Sequence, residues 1–443
     1  MATTYLSRTF GTATSRFTCT ASMWIKRSAL GSAVFWSSYN SGNYRFQLYF
    51  DGSDRLSVLN VDNGVNNIDV KTTRKFRDTS GWYHLYFALK SSEATASDRV
   101  KIYVNGVRET AFDNATYQGT GNDMAWGAPS YTLNIGRYGG NSDYFSGSMS
   151  HSYFIDGSIV DVSEFGSTDA NGVWKINTSP TISSYGNEGF LILKDGNSVT
   201  DQSGNSNNFT VAGGTLTNTE DNPSNVFATF NPLFNYNAQA TFSNGNLQVS
   251  TSNSATNITP LVSTLGMSSG KYYAEIKYSA TTDPGDFARI GVCSKVADRG
   301  TNVALENDVD DHAYQGSNGN YLNNTNSTSY GATYTTGDII GVALDLDNGY
   351  IYFHKNGTYQ NSGDPTSGAT GTGGKSVSTG KDYFFAVADV DYLDSYTYQA
   401  NFGNGYFGTT AVASAGTNAS GIGIFEFDVP TGYTALSTKG LNL

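Results

Sequence analysis

The chain is poor in several residue types, and each shortage closes off a class of protein. Only Cys19 and Cys293 occur in 443 residues, too few for a disulfide framework or a zinc cluster, so stability has to come from burial and hydrogen bonds. The four histidines, His84, His151, His312 and His354, lie far apart without His-Glu-x-x-His spacing, and isolated strand histidines are packed or solvated more often than catalytic. Charged residues make up 14%, against roughly 25% in an ordinary soluble domain. Lys and Arg number 26 against 38 Asp and Glu, a net charge of −12, and the scattered cations form no patch for phosphates. Nucleic acid and anionic membrane surfaces are therefore not expected as partners. No apolar run approaches the ~20 residues that cross a bilayer, so no membrane insertion is expected. Residues 1–10 lack the basic head and apolar core of a secretory signal, and synthesis in the cytoplasm without a signal peptide is the expectation.

Turns and rings are what the chain has in abundance. Gly numbers 50 while Pro numbers only 8, so the excess is turn glycine. Asn-Gly, the dipeptide suited to two-residue hairpins because both residues accept positive φ, begins at Asn63, Asn105, Asn171, Asn244, Asn318, Asn348, Asn356 and Asn404. Between such turns lie short alternating runs such as Tyr44-Arg45-Phe46-Gln47-Leu48-Tyr49-Phe50, and no stretch carries an apolar stripe of helical period and length. The expected fold is all-β, with two antiparallel β-sandwich (jelly-roll) domains in tandem. The least core-like stretch in the middle sets a linker at 213–227, between domains at 1–212 and 228–443. Residues 315–334 and 361–380, rich in Asn, Ser, Thr and Gly, read as exposed loops, where binding commonly resides.

Three resemblances add to this. Ser80-Gly81-Trp82-Tyr83-His84-Leu85, then Val100-Lys101-Ile102-Tyr103-Val104-Asn105-Gly106, then Leu133-Asn134-Ile135-Gly136-Arg137 resemble, in that order, the laminin-G-like, concanavalin-A-like jelly rolls, over about residues 1–212. Gly337-Asp338-Ile339-Ile340-Gly341-Val342-Ala343-Leu344-Asp345 followed by Ile351-Tyr352-Phe353-His354-Lys355-Asn356-Gly357 resembles the SPRY core, with Ser269-Gly270-Lys271-Tyr272-Tyr273-Ala274-Glu275 before it and Asn401-Phe402-Gly403 after it, over about 228–443. The join, from Asp195-Gly196 through Asp221-Asn222-Pro223-Ser224-Asn225 to Phe230-Asn231-Pro232, looks like the connector in bacteriophage virion proteins that pair these two folds. That third resemblance alone implies a virus.

The chemistry on offer is sparse. Glycosidases on a jelly roll need carboxylates flanking the scissile bond, delivered by alternate positions of one strand. Glu426-Phe427-Asp428 is the nearest case and lacks a third acid, and a charged edge strand explains it as well. No nucleophile elbow or phosphate loop is present. Acids at Glu306, Asp308, Asp310 and Asp311, and at Asp389, Asp391 and Asp394, could supply oxygen ligands to Ca²⁺, which some laminin-G-like proteins bind, although neither group has EF-hand spacing. Solvated acids that keep the surface soluble are the other reading. Tyr numbers 30, Phe 25 and Trp 5, and rings stack on sugar faces while hydroxyls and amides bond sugar hydroxyls. The candidate ligand-binding residues are Tyr314, Tyr321, Asn323, Asn324, Tyr330 and Tyr334, with Trp36 and Tyr39 in the first half. Packing of these tyrosines beneath their own loops or against a neighbouring subunit is the plainer alternative.

These readings converge on a non-enzymatic bacteriophage virion surface protein, of tail-fibre or receptor-binding type, presenting loops to a host glycan or receptor. It is expected to contact other virion proteins on a tail or capsid and to form a homo-oligomer, a trimer first among the numbers, because weak sugar sites gain from being presented together. No cofactor other than Ca²⁺ is considered. A structural capsid decoration or fibre subunit that touches only other virion proteins is the second reading, and a polysaccharide-cleaving enzyme the third.

Overall fold

Alternating strands closed by tight turns give antiparallel sheets, and a computed structural model bears out an all-β fold. It describes residues 3–194, 196, 198–235, 240–251, 260–280, 288–294, 304–388 and 396–442. Among these the only helical pieces are three-residue 3₁₀ turns. Internal contacts divide the chain into Met1–Asn218 and Thr219–Leu443. The stretch 213–227 is shared between the two. Its first part continues the strand Thr210–Gly213, paired with Tyr5–Thr9, and Leu216 packs on the first core. Its last part belongs to the second unit, where Phe227 is buried and Val226 N–H donates to Thr438 Oγ1.

In the first unit an eight-stranded sheet runs in the order Phe112–Thr116, Val65–Lys75, Arg55–Asp62, Tyr44–Phe50, Ala33–Ser41, Thr132–Ile135, Tyr5–Thr9, Thr210–Gly213. It faces a six-stranded sheet in the order Phe190–Ile192, Gly147–Asp156, Thr18–Arg27, Tyr83–Lys90, Val100–Val104, Val107–Arg108. Between them lies one apolar core, including Met23, Phe35, Trp36, Phe46, Leu48 and Phe87. The second unit repeats the plan. A nine-stranded sheet is centred on Lys271–Ala280, Ile339–Asp345, Tyr350–Lys355 and Tyr396–Asn401, and a six-stranded one contains Phe384–Ala388, Arg289–Cys293, His312–Gln315, Asn320–Asn323 and Asn326–Ser329. Cys19 and Cys293 are buried, one in each unit.

The Asn-Gly turns do what their chemistry allows. Asn63-Gly64, Asn105-Gly106 and Asn356-Gly357 each form a two-residue hairpin with both φ values between 49° and 84°. In two of them the Asn side chain also ties down the neighbouring strand. Asn105 Oδ1 accepts from the His84 N–H and Asn356 Oδ1 from the Ile339 N–H, both at 2.8 Å, while each Asn N–H is donated back to that same residue's carbonyl. Asn combines tolerance of positive φ with a side-chain carbonyl at that reach, without the charge an Asp would bring.

The hairpin between Asn320–Asn323 and Asn326–Ser329 turns through Asn324 at φ 49° and Thr325 at φ 62°. A β-branched side chain at positive φ is strained. Thr325→Gly is expected to stabilise the second unit by about 1 kcal/mol, seen in calorimetry as a Tm about 2–4 °C higher.

Candidate functional site

The tyrosines between 314 and 334 are core residues, which corrects the reading of 315–334 as an exposed loop. That stretch is mostly a hairpin extending the six-stranded sheet of the second unit. Tyr314, Tyr321, Tyr330 and Tyr334 are buried among Phe353, Val342 and Ile290. Their hydroxyls are used internally: Tyr314 donates to Ala332 O, Tyr334 reaches Ala288 O at 2.9 Å and Tyr314 O at 3.0 Å, Tyr330 accepts from Phe353 N–H at 3.1 Å, and Tyr321 pairs with His312 Nδ1 at 2.6 Å. The small polar residues of the hairpin take the solvent instead. Asn323 is half-buried and donates to Val309 O and Asp311 O, and Asn324 is the exposed turn residue. Trp36 is also in the core. A bulge between Val34 and Trp36 turns Phe35 and Trp36 to the same side, so simple alternation misplaces it. The stretch 361–380 is largely exposed as expected.

The acid groups do not assemble a cation site. Glu306 pairs with Arg289 at 2.7 Å, Asp310 with Lys381 at 3.5 Å, and Asp311 accepts from the Asp308 N–H. Among the described residues no three His, Cys, Asp or Glu side chains converge to hold a metal. Asp389, Asp391 and Asp394 lie outside the described residues. Glu426 and Asp428 are not on a strand; they accept from Ala413 N–H and from Thr417.

His84 is held in a structural geometry. Trp174 Nε1–H donates to His84 Nδ1 at 3.1 Å, so in the neutral ring the proton sits on Nε2 and points at Ser22 Oγ, 2.9 Å away. A serine–base pair would need the opposite arrangement. Burial pulls the His84 pKa down to about 3, which keeps the ring neutral.

The remaining question is which sheet face is free, and the packing of each outer face answers it. The outer face of the first unit's six-stranded sheet is covered by a second apolar layer in which Phe165 joins Tyr86, Tyr153 and Leu191. In the second unit Phe425, Val429 and Tyr433 cover Tyr273 and Tyr352, and Leu305 packs with Val262 and Ala313. Among the described residues no such apolar layer lies on the outer face of the first unit's eight-stranded sheet. Beyond the bulge at Phe35, alternation sends Ser37 and Tyr39 to that face, opposite Gln47 and Arg45. The register continues it as rows: Asn134, Ser37, Gln47, Leu59, Asp69; then Thr132, Tyr39, Arg45, Val61; then Val34, Tyr49, Ser57, Lys71.

The segment 136–144 folds over one end of this face. Gly139 N–H donates to Ser37 Oγ at 3.3 Å, and the Tyr138 ring meets Tyr39 edge-on at 5.4 Å. The Arg45 guanidinium lies 6.0 Å from the Tyr138 ring centre, and its Nε donates to Gln47 Oε1 at 3.2 Å. Arg137 rests 3.6 Å above the Tyr5 ring. Tyr39, Tyr138, Arg45, Tyr49 and Arg137 are all half-buried. Burial, reinforced by Asp69, pushes the Tyr49 hydroxyl up to about 12, so it stays a neutral donor. The amides and hydroxyls of these rows, Asn134, Ser37, Gln47 and Ser57, are buried, so what the face offers a partner is the half-buried rings and guanidinium groups, which are suited to stacking and to hydrogen bonds from Tyr and Arg. Of the residues expected to bind, Tyr39 alone lies here. Arg45, Gln47 and Tyr49 were legible as the outward positions of the strand 44–50; Tyr138 and Arg137 had no comparable signal.

Fold and site together define a tandem β-sandwich protein in which, among the described residues, the outer face of the first unit's eight-stranded sheet has no second apolar layer and bears half-buried rings. Residues 3–159 match the family model of the concanavalin A-like lectin/glucanases superfamily, and residues 271–374 that of the SPRY domain. The chain thus carries a concanavalin A-like domain followed by a SPRY domain. No curated protein matches it. Among solved structures, the SPRY domain of human HERC1 is similar at 19% identity, covering 39% of this chain and 96% of that one, with a TM-score of 0.29. Stonustoxin is similar at 16% identity, covering 39% of this chain and 27% of its own length, with a TM-score of 0.30. A heptameric SAP-like pentraxin from Limulus polyphemus is similar at 18% identity, covering 35% and 71%, with a TM-score of 0.27.

Proposed function

We propose that the chain is a non-catalytic recognition protein that binds a glycan on the outer face of the eight-stranded sheet of its first unit. The observation that carries this is the half-buried Tyr39–Tyr138 pair beside Arg45, Gln47 and Tyr49, on a sheet face with no apolar layer over it. The two matched domain types, both typically binding modules, support a binding role. Placement on a bacteriophage virion, next to other virion proteins and in several copies facing a host surface glycan or receptor, rests on the connector and the domain pairing read from the sequence.

The test is binding of the full chain to a panel of neutral and acidic polysaccharides, measured by calorimetry. Tyr39→Ala with Tyr138→Ala should weaken binding about 30-fold or more, at roughly 1 kcal/mol or more for each stacked ring. Tyr321→Ala, a core substitution, should lower stability and leave affinity of the folded protein unchanged. Equal affinity in the Tyr39/Tyr138 variant would reject this site. If the protein belongs to a virion, the same pair of changes should abolish adsorption to the host and leave particles intact; defective particles would favour a scaffolding part.

A further inference from the structure

The arginines of the first unit are not distributed at random with respect to acids. Arg8, Arg16, Arg27, Arg55, Arg74, Arg77 and Arg108 each have a carboxylate oxygen within 3.1 Å. Arg99 has no acid but spends its Nε, Nη1 and Nη2 on the carbonyls of Glu93, Gln118 and Ala94 at 2.8–2.9 Å. Among the described residues of this unit that leaves Arg45, beside the Tyr138 ring, and Arg137, which stacks on Tyr5 and is tied to Asn134 on the same sheet face. Arg45 uses only Nε, toward Gln47, so both Nη groups remain available. Arg137 uses Nε on Asn134 Oδ1 at 3.3 Å and Nη1 on Asn141 Oδ1 at 2.5 Å, which leaves Nη2. Neutral amides orient both guanidinium groups without cancelling their charge. Two acids lie nearby. Asp69 is matched by Lys71 at 3.4 Å, and Asp143, which acts on Tyr138 through space, accepts the hydroxyls of Ser32 and Ser142.

In a chain with a net charge of −12, two half-buried guanidinium groups held ready by amides, without carboxylates, mark where negative charge is to be received. We propose that the ligand of this face is an acidic polysaccharide, whose carboxylate or sulfate groups pair with Arg45 and Arg137 while a sugar ring packs at Tyr138. This rests on the glycan reading above and narrows its substrate class. Guanidinium pairs with planar carboxylates and with sulfate oxygens through parallel N–H donors, so both anion types are accommodated, and the experiment has an arm for each.

The full chain is titrated with a polyuronate (hyaluronan), a sulfated neutral glucan (dextran sulfate) and two neutral glucans (dextran and pullulan), at 50 and 300 mM NaCl. Binding of one or both acidic polymers is expected, with little to the neutral ones and a clear fall at the higher salt. Arg45→Gln and Arg137→Gln should each weaken acidic-polymer binding about tenfold, the effect of losing a charge-assisted hydrogen bond. Arg108→Gln, which removes a paired arginine on the other sheet, controls for general loss of positive charge and should change nothing. The hyaluronan and dextran sulfate arms tell carboxylate from sulfate. Two results would overturn the proposal: an equal fall with Arg108→Gln, which would mean diffuse attraction, or neutral-glucan binding insensitive to Arg45→Gln and Arg137→Gln. In that last case, loss of neutral binding in the Tyr39/Tyr138 variant would leave the glycan site standing. Binding to none of the four polymers would count against both readings.

Discussion

Asp54→Ala is expected to lower the stability of the first unit by about 3–5 kcal/mol, the range for stranding one member of a buried ion pair. The Arg27 side chain is inaccessible, lies 4.3 Å from the Phe50 ring centre, and donates to Phe76 O and Gly31 O at 2.5 and 2.9 Å. Asp54 is its counter-ion: Oδ1 lies 3.0 Å from Arg27 Nη2 and accepts from the Gly31 N–H at 2.7 Å, while Oδ2 accepts from Arg77 Nε at 3.0 Å. Without the carboxylate a guanidinium remains in the core that can neither deprotonate nor reach water. Arg27→Met, which removes the buried charge as well, should cost less. Burial opposes ionisation of Asp54, but the Gly31 N–H, Arg77 and Arg27 outweigh it and hold its pKa below the usual carboxylate range. The folded pKa is thus the lower one, so this stabilisation is present above the ordinary carboxylate pKa and is lost as pH falls through the folded value. The readout is simple, because Trp24, Trp36, Trp82, Trp126 and Trp174 all fall in the first unit. Tryptophan fluorescence during urea unfolding therefore follows that unit alone.

The second large effect is expected at Glu275, a carboxylate with no exposed surface in the middle of the nine-stranded sheet. It accepts from the backbone N–H groups of Glu426 and Phe427 at 2.8 Å each, from Asn401 Nδ2 at 3.2 Å and from the Tyr273 hydroxyl at 3.0 Å. Tyr273 is itself oriented. Gly357 N–H donates to His354 Nδ1 at 3.1 Å, so the neutral ring presents Nε2–H to the tyrosine oxygen at 2.6 Å, and the tyrosine proton is left for Glu275. The segment around residues 425–429 is thus fastened to the sheet through one side chain. Glu275→Gln keeps the shape but turns an NH₂ toward two donors. Above pH 7, where the carboxyl is ionised, a loss of about 3 kcal/mol follows from buried groups left without acceptors, measured by calorimetry of the second unit's transition.

The same variant should change the pH profile. Burial pushes the Glu275 carboxyl up to about 7 from 4.5, against the pull of its hydrogen bonds. The folded pKa is the higher one, so the contribution is fully present below about 4.5 and is lost as pH rises through about 7, by roughly 3 kcal/mol. In Glu275→Gln that slope between pH 4.5 and 7 should vanish. A slope that persists would assign it to another group.

How far the sequence could be read differs from residue to residue. Asn63-Gly64, Asn105-Gly106 and Asn356-Gly357 were legible because positive φ is a property of the residues themselves. The strand 44–50 was legible too, apolar at 46, 48 and 50 and polar or aromatic at 45, 47 and 49, and that reading places three residues of the candidate site. The hairpin at Asn324-Thr325 carries no glycine and gave no turn signal. The tyrosines from 314 to 334 were misplaced because tyrosine is polar at one atom and apolar over the rest, so a Tyr-, Asn- and Ser-rich stretch has the composition of a loop and the core content of a strand.

Local chemistry therefore settled the all-β class, the tandem arrangement, the hairpin turns and the two alternating sides of each strand, because these depend on a residue and its immediate neighbours. Which side of a sheet meets solvent was decided elsewhere. Segments far along the chain, around Phe165 in the first unit and 425–433 in the second, lay a second apolar layer over some faces, while among the described residues the outer face of the eight-stranded sheet has none. Burial of a side chain is a property of what packs against it, so the location of the site, the buried state of Arg27 and Glu275, and the solitude of Arg45 and Arg137 emerge only when distant parts of the chain come together.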